Sequence, residues 1–235
     1  MDGVSKGFKI ETGYFMLFLL YFFVFLIGAC VGSFCNVCIY RLPRGLSIIA
    51  PLSFCPICKK PIKPWHNIPI LSFILLKGRC ASCGSHISIY YPLIEAITGL
   101  TYLFLFKKFY FSYEFPIYAL FFTAFIILSF STLISDFTPL YITIPGTILG
   151  LIFIKSWHGL LFGLLFSFFL YLIRQLEKKD ILLFMFFGSI MANKAMVGYL
   201  LALPFYLFFK WRFKRNTFPI LLLIFSLYFV IQNGH

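Results

Sequence analysis

Four of the seven cysteines fall in two pairs, Cys55-Pro-Ile-Cys58 and Cys80-Ala-Ser-Cys83, separated by 21 residues. Two C-x-x-C pairs suit a tetrahedral Zn2+. Each delivers two thiolates from a tight turn, and Gly84 gives one turn the backbone freedom it needs. A closed four-sulfur site is structural, because no coordination position remains for water. The alternatives are ordinary buried cysteines, which seldom fall in so regular a spacing, and a redox dithiol, for which one pair suffices. Cys30, Cys35 and Cys38 lack this spacing and read as small apolar packing residues.

The seven acids are the other scarce chemistry. Asp2, Glu11 and Glu114 fall in segments read below as outer ones, which leaves Glu95, Asp136, Glu177 and Asp180. Asp136 closes "LSFSTLISD" and Asp180 opens "DILLF", and between them the chain has room to cross a membrane out and back once. Both carboxylates then return to one end of a helical bundle. There two acids can share a proton, one serving as general base on a water and the other as acid toward a substrate. The mundane alternatives are an N-cap for Asp180 and a helix-end interfacial position for Asp136. Glu95, in "YYPLIEAITG", sits about one turn inside an apolar stretch. It either pairs with a cation such as a loop arginine or serves a polar pocket.

The elements that must position these residues are membrane helices. With 61% hydrophobic residues, 11% charged residues and a mean hydropathy of +0.96, the chain lacks the polar surface of a soluble globule. Apolar runs recur to the C-terminus, and no segment reads as a cleaved leader. Breaks at Gly, Pro and charge give spans near residues 14–38, 89–106, 116–135, 140–154, 157–173, 181–192, 195–209 and 217–232. The fold class is therefore all-α: a polytopic membrane bundle of about eight helices with a small cytoplasmic zinc-binding loop. Its parts are an outer N-terminus and first span (1–38), the cysteine loop (39–88) and a transmembrane remainder (89–235).

Orientation follows from lysine and arginine. Placing 39–88 in the cytoplasm puts fourteen of the 20 cations on that side and six on the other, so both termini lie outside. The net charge of +13 thus reports topology, not nucleic-acid binding. No internal repeat is evident, and a transporter is disfavoured by the scarcity of intramembrane polar residues.

Residues 32–43, "GSFCNVCIYRLP", the cysteine loop with "WHNIPILSFILLKGRC", and "ISIYYPLIEAITG" after it resemble the N-terminal domain of the bacterial type IV prepilin peptidases across residues 28–99. The resemblance implies a bifunctional inner-membrane enzyme of eight helices that cleaves the basic leader of prepilins and pseudopilins. It then methylates the new N-terminus from S-adenosylmethionine. It also implies that Asp136 and Asp180 carry cleavage, and that Cys55, Cys58, Cys80 and Cys83 hold zinc. Cofactor-binding candidates in the matching domain are Asn36, Arg41, Asn67, Arg79 and Glu95. Membrane lipids and a second copy of the chain are further expected partners.

The second half departs from the family pattern. Asp136 is followed by "FTPLYITIPG", and Glu177-Lys178-Lys179-Asp180 stands where the family has glycines before its second aspartate. Two lysines beside Asp180 favour its ionised form and lack glycine's backbone freedom. The alternative function is accordingly a weakened or inactive member acting as a membrane assembly factor for a pilus or secretion system.

Overall fold

In the computed structural model the described residues are 2–135, 137, 139–154 and 224. They are helical, with no strand longer than an isolated bridge. Five α-helices run in order: α1 (Asp2–Arg41), α2 (Leu71–Leu75), α3 (Tyr90–Phe109), α4 (Glu114–Ser135) and α5 (Leu140–Ile154). The cysteine loop lies between α1 and α3 and contains α2.

The expected spans 14–38, 89–106, 116–135 and 140–154 correspond to α1, α3, α4 and α5. The remaining four lie outside the described residues, as do Asp136 and Asp180. Among the described residues two stretches, Tyr14–Arg44 and Glu114–Ser135, are long and apolar enough to cross a membrane. Glu95, Lys107 and Lys108 make α3 more polar than either.

Helices α1 and α3 pack antiparallel because small residues line their seam. Gly28-x-x-x-Gly32 presents two bare backbone positions one turn apart, a pattern that lets membrane helices approach closely. A Cβ on Gly32 would stand 2.8 Å from the Glu95 Cα, and one on Gly28 would stand 2.9 Å from the Gly99 Cα. One turn further along, the Asn36 side-chain amide donates to the Tyr91 carbonyl at 3.0 Å. Phe25 fills the space left by Gly99 from the α1 side.

Helix α4 closes the third side of this pair and buries Phe121, Phe122, Phe125, Ile126, Leu128 and Phe130. Two of its hydroxyls are neutralised locally. Thr123 and Thr132 donate to carbonyls four residues back, which is how such groups sit in apolar surroundings at little cost. The Tyr102 hydroxyl meets Thr123 Oγ1 at 3.0 Å and ties α3 to α4.

Candidate functional site: a thiolate cluster capping a cavity

Each cysteine pair forms a knuckle, and the two are built alike. The Cys55 N–H donates to the Lys60 carbonyl at 3.0 Å, and the Lys59 N–H donates back to the Cys55 carbonyl at 2.9 Å. Twenty-five positions on, the Cys80 N–H donates to Ser85 at 2.8 Å and the Gly84 N–H to Cys80 at 2.9 Å. In both turns the residue after the second cysteine takes a left-handed backbone: Lys59 at φ 59° and Gly84 at φ 70°. Isolated bridges, Phe54 with Pro61 and Arg79 with His86, close the two turns outside these bonds.

The knuckles face one another so that all four sulfurs lie within 4.8 Å of each other, with Cys55 and Cys83 Sγ 3.9 Å apart. A tetrahedral zinc with Zn–S bonds of ~2.3 Å requires sulfurs about 3.8 Å apart, so the cluster fits that ion with little adjustment. The four cysteines predicted from spacing are brought together as a set. Cys35 and Cys38 are buried in α1 away from it, whereas Cys30 is exposed on the same helix, against the packing role expected of it.

The sulfurs are unequal. Removal from water raises the Cys55 thiol, but hydrogen bonds from the Cys58 and Ile57 backbone and the Ser85 hydroxyl outweigh this and hold it at about 6. The Ser85 hydroxyl, 3.0 Å from Cys83 Sγ, likewise brings Cys83 below an ordinary thiol. Cys58 moves the other way: the Lys60 N–H lowers it, but loss of water and the neighbouring thiols of Cys83 and Cys55 push it up to about 11. Ser85 was not among the residues singled out from sequence. Its signal is positional, since it mirrors Lys60 in the second knuckle.

Beneath the knuckles, between the loop and the adjoining ends of α1 and α3, lies a cavity of about 510 Å3. Asn36, Arg41, Asn67 and Glu95 are on its wall, together with Cys55 and Cys80. Arg79 is exposed and is not part of the wall. Three of the five residues expected from sequence also hold the walls in place.

Asn36 braces the two helices, as above. Arg41 is buried and donates to the carbonyls of Ser47 at 2.9 Å, Pro51 at 2.7 Å and Leu52 at 3.2 Å, with its guanidinium over the Phe54 ring. It clamps the start of the loop onto the end of α1. The Glu95 Oε2 accepts the Ile70 N–H at 2.7 Å, at a residue whose φ is 61°. Of the two roles open to Glu95, the cavity wall is the one seen, and among the described residues no cation pairs with it.

Residues 26–109 match the model of the bacterial peptidase A24 N-terminal domain. Over this stretch the chain is similar to that domain family. The match includes both knuckles, α2, α3 and the end of α1, so the A24 N-terminal domain coincides with the capped cavity. Similar proteins named prepilin leader peptidase/N-methyltransferase include one of Myxococcus xanthus, 40% identical over 55% of this chain and 38% of its own length. One of Neisseria gonorrhoeae is 40% identical over 54% of this chain and 53% of its own. One of Bacillus subtilis is 47% identical over 32% of this chain and 31% of its own. The chain thus spans about half or less of the curated relatives it matches. No solved structure matches it.

Proposed function

We propose that this protein is a membrane aspartic endopeptidase that removes the leader from type IV prepilins or type II secretion pseudopilins and N-methylates the new terminus. The observation that carries the reading is the A24 N-terminal domain match falling on a preformed four-cysteine cluster and the cavity beneath it. The names of the relatives supply the activity. The whole chain is read as a multi-pass protein of the bacterial inner membrane, about eight helices in all. Its termini lie outside, its cysteine loop is cytoplasmic, and its apolar substrate helix lies between spans.

For cleavage the residues are Asp136 and Asp180, one as base toward water and the other as acid toward the scissile amide. For methylation the cavity's volume lies in the range that ordinarily holds a cofactor-sized ligand. S-adenosylmethionine supplies an electrophilic methyl carried on a cationic sulfonium. Asn36, Asn67 and Glu95 are the wall residues that would hold it, Glu95 contributing negative charge. Arg41, committed to three carbonyls, shapes the wall. Zinc held by Cys55, Cys58, Cys80 and Cys83 fixes the cap above.

The decisive experiment is incubation of the purified protein with a prepilin, beside Asp136→Asn and Asp180→Asn. Leader loss with the wild type and none with either variant is the expected result. A second reading rests on Glu177-Lys178-Lys179 in place of glycines before Asp180. On that reading the chain is an assembly factor that retains the capped domain without proteolysis. A wild type that leaves the leader intact under conditions where a relative cuts it selects this second reading.

A further inference from the structure

We infer that the segment between the cysteine pairs is embedded in the lipid interface, with α2 lying in the anionic leaflet as an in-plane strap.

The first argument is depth. Helices α3 and α4 have 20 and 22 residues, about 30 Å each at 1.5 Å per residue, and a tight turn at residues 110–113 joins them. A hydrocarbon core of about 30 Å uses all of both helices, which sets Tyr90 and Ser135 at one interface. Glu95 then lies five residues inside, and its carboxylate holds the Ile70 N–H, the residue preceding α2. The loop is therefore tied to α3 below the level at which α3 enters the bilayer.

The second argument is the face. Ser72 is buried, its hydroxyl donating to the Trp65 carbonyl at 3.2 Å and accepting the Ile68 N–H at 2.9 Å, so this side of α2 is turned into the protein. Leu71, Ile74 and Leu75 are exposed away from it, and Ile89 and Leu93 are exposed at the start of α3. Exposed apolar side chains thus occur both on α2 and at the start of α3, a helix of the proposed membrane bundle.

The third argument is charge. Residues 39–88 carry seven cations and no acid. Lys63, Lys77 and Arg79 flank the apolar face and are exposed, and Lys63 Nζ stands 5.4 Å from the centre of the exposed Trp65 ring. An apolar face rimmed by cations and an aromatic is the composition of a segment lying on an anionic bilayer surface.

The inference rests on the membrane placement proposed above, and the experiment separates the two. The full-length protein, with Trp65, Trp157 and Trp211 replaced by Phe, receives one reporter, either Leu75→Trp or Phe22→Trp on the exposed face of α1. Each is reconstituted in bilayers of anionic and zwitterionic lipid brominated either near the headgroup or at mid-chain. A third protein keeps native Trp65 and loses only Trp157 and Trp211.

Shallow bromines should quench Leu75→Trp at least twofold and more than deep ones do, while deep bromines should dominate at Phe22→Trp. Native Trp65 should follow the shallow pattern. Quenching of Leu75→Trp by aqueous iodide and not by brominated lipid makes the segment a water-facing loop. Quenching by neither means protein covers the face. Either result overturns the inference while Phe22→Trp upholds the spans. Failure of bromines to quench both reporters removes the membrane placement as well.

Discussion

Lys59 holds the backbone conformation that Gly84 holds in the partner knuckle, at a cost that glycine avoids. Lys59→Gly is expected to raise stability by about 1 kcal/mol, read as a higher melting temperature of the zinc-loaded protein in detergent. Removing a sulfur acts oppositely: Cys83→Ser should release the metal and loosen the cap, checked by metal content after dialysis. The thiols also set a pH dependence. Without metal, Cys55 is ionised at neutral pH while Cys58, at about 11, is protonated. Zinc uptake must therefore expel the Cys58 proton, and affinity should climb as pH rises from 6 to 8 in competition with a chelator. At this scale the sequence was informative because C-x-x-C fixes its own local geometry. Ser85 was invisible, since a serine announces nothing until the sulfurs it touches are placed.

Among the elements, α1 and α3 depend on the absence of side chains. Gly32→Leu would drive several atoms into the Glu95 backbone and Thr98, and should destabilise the pair by about 1–3 kcal/mol, seen as lost yield and a lower melting temperature. Ile at exposed Leu93 should change nothing measurable, and serves as the matched control. The helices themselves were readable from apolar length and from Gly, Pro and charge breaks, within a few residues at α3 and α4. At α1 the expected span begins at residue 14, as the membrane-length stretch does, while the helix itself runs back to Asp2 through a charged stretch that hydropathy excludes. Short α2 gave no periodic signal, being five residues long and set by the Glu95 and Ser72 hydrogen bonds at its N-terminal end. The Gly28-x-x-x-Gly32 spacing was present in the sequence as a pairing signal, but only the packing shows which helix it meets.

For the molecule as a whole, the proposed topology makes the turn at 110–113 an outer loop and the knuckles an inner one. An alkaline phosphatase fusion after Ser112 should be active and one after Lys60 inactive in a bacterial host, and the opposite pattern would invert the orientation. The helical character of the described residues and the gathering of the four cysteines were accessible because each depends on short stretches of chain. The proposed pairing of Asp136 with Asp180 is a relation across 44 positions, and no local rule of spacing reaches that far.

The packed seam of α1 against α3 has a temporal side. Both cysteine pairs precede α3 in the chain, so a ribosome feeding this protein into the membrane exposes all four thiols before the hairpin that steadies them exists. On the proposed reading, ion capture by the nascent loop and zipping of the glycine seam are thus separable events. Whichever comes first narrows the search left to the other.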